Sequence, residues 1–217
     1  MLAVKVWGDY ACFTRPENKV ERVSYPVITP SAARGLLEAI FWKPEVRWHV
    51  QAIAILKPIK FFSIKTIEVK SRASPRAAQR WGRTGGGYYA DEDHTPRHTL
   101  GLRDVSYILY AEMVLRPHAT EGMDKYTDQF LRRVARGQCH HTPYFGCREF
   151  AAAFGPPDGT ERPIAYTADL GRMLGDLNYV DGTSGRGAAQ FFHATVQHGV
   201  MAVPPLRGEV RVETICS

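Results

Sequence analysis

Four cysteines in 217 residues, Cys12, Cys139, Cys147 and Cys216, form no CxxC pair and no dense framework. A disulfide scaffold is therefore excluded, and reduced thiols in a cytoplasmic protein are expected. Met1 is followed by neither a charged n-region nor an apolar h-region, so no secretory signal is expected. No apolar run approaches the ~20 residues that a helical membrane crossing requires. The chain also lacks GxGxxG and P-loop motifs, internal repeats, heptads and low-complexity tracts, which argues against a nucleotide-cofactor enzyme, a solenoid or a coiled coil. No cofactor and no metal are expected.

What is present is enough apolar material, 44% of residues, for one large domain or a domain with a small annex. Lys plus Arg number 28 against 22 Asp plus Glu, a net charge of +6, with an isoelectric point near 9.2. That balance permits an anionic partner without identifying one.

Leu2 to Trp7 alternates as a strand that Gly8-Asp9 should end. Thr29 can cap a helix, Pro30 suits its first turn, and Ala33, Leu36, Leu37, Ile40 and Phe41 make its apolar stripe, with Pro44 as a stop. Val46 to Leu56 reads as a long strand and Ile59 to about Glu68 as its antiparallel partner. Residues 70 to 103 are basic, Gly-rich around Gly85 and poor in aliphatics, as an inserted arm would be. Asp104 to Leu115 reads as a strong strand. Met123 to Arg136 reads as a second helix, with Met123, Tyr126, Phe130, Leu131 and Val134 on its apolar face and Gly137 as its C-terminal cap. A strand with a turn is expected over Gln138 to Phe150.

With one strand assigned to an inserted hairpin, the order is β-α-β-β-α-β, the split arrangement of ferredoxin-like α+β folds. The expected domains are residues 1–154, RRM-like with a basic insertion at about 69–103, and 155–217, a small C-terminal antiparallel β annex.

Four constellations could carry chemistry. Between Lys70 and Arg83 there are five cations and no acid. Arg72, Arg76, Arg80 and Arg83 would share one face if Ser74-Pro75 begins a helix, a row suited to phosphate oxygens; a solvated helix face would look the same. Arg15, Lys19, Arg22, Arg34 and Lys43 interleave with Tyr10, Phe13, Tyr25, Phe41 and Trp42, the mixture with which proteins grip single-stranded RNA. Many such rings belong to cores instead. In QCHHTPYFGCREF (138–150), His140 and His141 would lie on opposite faces of a strand, so that only one could face a given site. Cys139, His140, His141 and Cys147 do not match a zinc spacing. Lys125-Tyr126 offers a cation and a phenol, the groups a metal-free ribonuclease could use to move protons and neutralise the phosphorane. By itself such a pair is commonly a surface cation beside a core ring.

Three stretches, VWGDYACFTRPENKVERVSYPVITPSAARGLLEAIFWKP (6–44), LRDVSY (102–107) and FLRRVARGQCHHTPYFGCREF (130–150), together resemble the Dvulg-subtype CRISPR-associated endoribonucleases of type I-C systems. The resemblance covers most of residues 2–154. It implies an RRM-like (RAMP) domain that cleaves the CRISPR repeat hairpin of precursor guide RNA without metal, by attack of the 2′-OH. The protein would then keep the 5′ handle within a Cascade surveillance complex, beside the backbone and large subunits. It also implies a catalytic Tyr or His in an IYWKP motif and a Lys-His pair at the start of the second helix. Here the motif reads Ile40-Phe41-Trp42-Lys43-Pro44. The pair reads Lys125-Tyr126, or Tyr126-Thr127 one residue on. Lys125 carries over; Phe41 and Tyr126 are altered. Phenylalanine exchanges no proton. Cleavage then uses a rearranged set, Lys125, Tyr126 and one of His140 or His141, or the protein is a non-catalytic cap that binds the handle. Double-stranded DNA is a further polyanion that the basic surface would admit.

Overall fold

The computed structural model describes residues 1–18, 20–71, 74–178 and 187–205. Strands are β1 (Leu2–Ala11), β2 (Arg22–Val23), β3 (Val46–Ile55), β4 (Phe61–Val69), β5 (His94–Leu115), β6 (Ala153–Gly155), β7 (Ala168–Asn178), β8 (Ala188–Gln197) and β9 (Val200–Ala202). Helices are α1 (Pro30–Ile40), α2 (Pro75–Thr84) and α3 (Met123–Arg136), with a short 3-10 turn at Ala90–Asp93. The strands join in one sheet ordered β6-β1-β5-β3-β9-β8-β7, with β2 and β4 also paired to β5. The result is a mixed α/β fold dominated by antiparallel strands, with few helices.

β5 organises the sheet. Its C-terminal half lies between β1 and β3, and its N-terminal half pairs with β4 from Phe61↔Leu102 to Val69↔His94. Between the halves, Asp104 adopts a left-handed φ of 56°, and its carboxylate accepts from Lys57 and Lys60. A carboxylate so placed tolerates that backbone region better than most residues do. The strand expected from Asp104 therefore begins ten residues earlier, inside the stretch expected to be an arm. β3 and β4, expected to pair with each other, each pair with β5 instead. A 22-residue strand is long enough to take them in succession.

β1 likewise runs past Gly8. A Cβ there would come within 2.9 Å of the Ala151 carbonyl oxygen and the Phe145 ring, so the glycine permits close packing rather than ending the strand. In β3 a bulge falls between Val50 and Ala52, and the strand ends in three buried residues, Ile53, Ala54 and Ile55; β9 pairs at Ala52–Ala54. Through that pairing β7, β8 and β9 continue the main sheet.

α1 forms as its caps dictate. Thr29 Oγ1 accepts the Ala32 N–H at 3.2 Å, Pro30 opens the first turn, and Ala33, Leu36, Leu37 and Ile40 are buried. In α3 the buried face is Tyr126, Phe130 and Val134, closed by Gly137 in the left-handed region. Met123 and Leu131, assigned to that face from sequence, are exposed. Trp48 on β3 packs on Phe130 at 4.6 Å between ring centroids. Each such fully buried ring contributes roughly 1.5–3 kcal/mol. α2 buries nothing and stands on the arm.

Candidate functional site

The last carbonyls of a helix have no partner within it. In α1 they are met from outside. The Ala39 carbonyl accepts the N–H groups of His140 (2.8 Å) and His141 (3.1 Å). Arg133 donates to Ile40 O, and the Trp48 indole donates to Phe41 O. Segment 138–150 is thereby fixed to the end of α1 as turns and one isolated bridge, Tyr144↔Ala151, not as the expected strand. The Cys12 N–H bonds Phe145 O at 3.0 Å. Gly146 then passes so close to β1 that a Cβ would lie 2.0 Å from the Cys12 carbonyl oxygen.

The two histidines are consequently not on opposite faces. His140, His141 and Tyr144 line one open hollow of about 380 Å³ with Gly35, Glu38 and Trp42. Trp42, half exposed, stacks on His140 with centroids 5.8 Å and planes 22° apart. His141 stacks on Tyr144 at 6.5 Å.

Trp42 and Glu38 also border a second hollow, whose cations are Arg34, Lys43, Arg47 and Arg116, with His118 beside them. Arg34 is committed: it pairs with Glu38 at 2.6 Å and Asp176 at 2.8 Å. Its burial opposes the charge, but the two carboxylates outweigh this and raise its pKa above the ordinary value. Among the described residues, Lys43, Arg47 and Arg116 have no acidic partner within ion-pair distance.

The family-implied catalytic positions lie one layer behind this surface. Phe41 is fully buried, its ring 6.4 Å from Tyr126 and 6.3 Å from Phe130, with the Arg133 guanidinium 5.5 Å from its centre. Tyr126 is 5% exposed. Lys125 points to solvent and pairs with Glu121. Thus Lys125, Tyr126, Phe41, Trp42 and His140 are contiguous, but only the first and the last two reach the surface.

The other cations are dispersed. Arg15 lies 4.4 Å over the Tyr25 ring and pairs with Glu17. Arg22 pairs with Glu68 and Glu149. Arg76, Arg80 and Arg83 are exposed along α2, which begins at Pro75 as the Ser74-Pro75 signal suggested. Lys19 and Arg72 lie outside the described residues. Interleaving of rings and cations suggested one shared groove; in the structure the Arg15 N–H bonds Val23 O next to Arg22, Lys43 borders the second hollow with Trp42, and Lys125 is exposed at the start of α3. Of those rings Phe13, Tyr25 and Phe41 are core, while Tyr10 and Trp42 are about half exposed.

Arg22 also contacts Cys147 Sγ at 3.8 Å. A hydrogen bond from Cys147 holds the Cys12 thiol down to about 7, against a burial effect that raises it. Cys147, as the donor, is pushed well above the usual thiol range. Among the described residues no three His, Cys, Asp or Glu side chains assemble as metal ligands, and no helix is long and apolar enough to cross a membrane.

Arg47, Arg116, His118 and Tyr144 escaped the sequence reading. Arg47 had a signal, as the outward residue between buried Val46 and Trp48. Arg116 had none, because the register Val46↔Leu115 that brings it beside Glu45 is a long-range fact.

A family model described as CRISPR-associated protein (Cas_Cas5), of the Cas5d type, matches residues 1–204. A CRISPR pre-crRNA endoribonuclease Cas5d of Thermus thermophilus is 48% identical over 218 aligned positions, covering 94% of this chain and 91% of that protein. Among solved structures, a crystal structure of a CRISPR-associated protein superposes with TM-score 0.67 at 19% identity, over 94% of this chain and 91% of that one. A chain described as belonging to a CRISPR RNA-guided surveillance complex superposes with TM-score 0.52 at 13% identity, over 94% and 89%. These two likenesses bear on fold.

Proposed function

The chain belongs to the CRISPR-associated Cas5 family, Cas5d type, and from that membership we propose that it is a pre-crRNA endoribonuclease. It cleaves repeat hairpins in precursor guide RNA without metal and keeps the 5′ handle as a cytoplasmic subunit of a type I-C surveillance complex, beside the backbone and large subunits. Supporting the finer fold reading is the run β6-β1-β5-β3, all antiparallel, with α1 between β1 and β3 and α3 between β5 and β6. This is the order of a ferredoxin-like (RRM/RAMP) domain. We read residues 1–154 as that domain and 155–217 as the annex.

The observation that carries the enzymatic reading is the placement of His140 and His141 in one hollow beside Trp42. Strand scission by the 2′-OH needs a group to take its proton, a group to protonate the departing 5′-oxygen, and positive charge for the phosphorane. An imidazole can serve as general acid or general base, and Lys43 borders the adjoining hollow. Lys125 adds a second cation, since its exposed pair with Glu121 is weak and easily exchanged. Tyr126 positions the Phe41–Trp42 turn from beneath.

The test is incubation of purified protein with its repeat RNA in EDTA. A 5′ fragment ending in a 2′,3′-cyclic phosphate is expected; intact RNA after hours would sink the enzymatic reading. One observation favours the second reading, a non-catalytic handle-binding cap: the phenol position is held by Phe41, without hydroxyl and fully buried. Under that reading the protein binds the same RNA and leaves it whole.

A further inference from the structure

The two hollows at the end of α1 differ sharply in chemistry although they share a wall. On one side Trp42, His140, His141 and Tyr144 offer ring faces, with Trp42 half exposed in a position where burial would be the usual fate of an indole. On the other, Lys43, Arg47 and Arg116 offer three cations, and the charge of Arg34 is already spent on Glu38 and Asp176. Glu38 belongs to both hollows. A carboxylate repels phosphate, so it keeps the backbone to the Arg47–Arg116 end, and it accepts hydrogen bonds from amino groups on base edges.

Resting on the RNA-binding reading, we propose that these hollows form one bipartite subsite for a single unpaired ribonucleotide step. The base stacks against the Trp42–His140 wall, and its flanking phosphates lie in the cleft of Lys43, Arg47 and Arg116. The ring hollow, about 380 Å³ and open to solvent, has room for a base. Element placement supports the subsite too. Arg47 stands on β3, Arg116 just after β5, and Lys43 in the α1–β3 link, where the Val46 N–H bonds Lys43 O and the Arg116 N–H bonds Glu45 O. The cations are thus presented by ordered backbone, so the freedom lost on binding a phosphate is that of the side chains and not of a loop. The acidic rim disfavours a duplex running across both hollows, which would bring phosphates onto Glu38 and Asp176.

The experiment measures equilibrium binding of full-length protein to a repeat RNA blocked by 2′-deoxy substitution at the cleaved nucleotide. Trp42→Ala should weaken binding about 5- to 100-fold, as loss of one stacked base does. In an abasic scan of the RNA, one unpaired position should cost affinity with the natural protein and nothing further with Trp42→Ala. The Arg47→Ala/Arg116→Ala variant should flatten the dependence of log K on log salt by about 0.7 per lost phosphate contact, and Arg47→Lys/Arg116→Lys should restore it. Trp42 and Arg116 are exposed and Arg47 is half-buried, so only small changes in thermal midpoint are expected, and these are checked first. If the natural protein does not bind repeat RNA, the RNA reading falls and this subsite with it. If it binds and the variants bind with the same affinity and salt slope, the subsite alone is overturned.

Discussion

The indole of Trp42 and the imidazole of His140 lie face to face, 5.8 Å between centroids and 22° between planes, although 98 positions separate them in the chain. The contact follows from how α1 ends. The Ala39 carbonyl, left without a helical partner, takes the backbone N–H groups of both His140 and His141. The helix terminus therefore sets the positions of the imidazoles, and the chain continues from it directly into Trp42 and Lys43.

If those imidazoles move the protons of the reaction, removing both should reduce cleavage of RNA that is already bound, beyond any loss of affinity from the His140 wall. We expect His140→Ala/His141→Ala to lower the single-turnover rate at saturating protein about 10²–10⁴-fold. The single variants then show which ring carries the larger share. Cleavage within about threefold of the natural rate, a margin far short of a lost proton-transfer group, would remove both histidines from the mechanism.

Phe41 separates the two readings of function. Its ring is sealed against Tyr126 and Phe130 with the Arg133 guanidinium over it, so a hydroxyl added there is buried and costs roughly 1–3 kcal/mol unless it finds a partner. Phe41→Tyr should therefore lower the thermal midpoint and leave the cleavage rate unchanged. A rate increase of ten-fold or more, about 1.4 kcal/mol of barrier, would instead show that the phenol was the missing group and favour the cap reading for the natural chain.

Local rules made the helices readable. Thr29, Pro30 and the Ala33–Leu36–Leu37–Ile40 stripe define α1, and Gly137 closes α3, because capping and amphipathicity act within a few residues. The sheet was less legible. Pairing of both β3 and β4 with β5 depends on the length of β5 and on Asp104 turning in its middle, and neither is set by neighbouring residues. Segment 138–150 misled for a related reason. Its aromatic residues suit a strand, but its donors are claimed by the Ala39 carbonyl at the end of α1 and, within its own turns, by the Phe150 and Cys147 carbonyls. Of the site, Trp42, Lys43 and the histidines were visible by type. Their assembly with Arg47 and Arg116 was not, because it is a product of register.

Gly146 links stability to the site. With φ at +81° and the Cys12 carbonyl oxygen 2.0 Å from any Cβ, it admits no side chain unless the loop withdraws from β1. Gly146→Ala should cost at least about 2 kcal/mol in a denaturant titration, in the range of strain at special backbone positions. Because the same loop carries His140, His141 and Tyr144, cleavage should fall even where the variant is fully folded. A variant with natural stability would contradict this packing.

The Cys12–Cys147 contact makes a pH prediction whose sign is fixed. The hydrogen bond from Cys147 is the largest influence on Cys12 and lowers its pKa from the ordinary 9.0 to about 7; burial opposes it, and Thr14 and Arg22 assist. A thiol depressed in the folded state contributes stability that is complete above its unfolded value, near 9, and is lost as pH falls through about 7. With Cys139 and Cys216 replaced by Ser throughout, ultraviolet thiolate absorbance should show a midpoint near 7, and the thermal midpoint should rise between pH 7 and 9. Cys147→Ala removes the donor while leaving burial in place, so both the absorbance midpoint and the rise in stability should move to higher pH. The two cysteines sit where β1 meets the 138–150 loop, so the same substitution also asks how much the thiol pair adds to the Cys12–Phe145 backbone bond and the close packing at that junction. Identical titrations in the two proteins would mean that Cys147 does not donate to the Cys12 sulfur and that its thiol serves the Cys12 carbonyl oxygen instead.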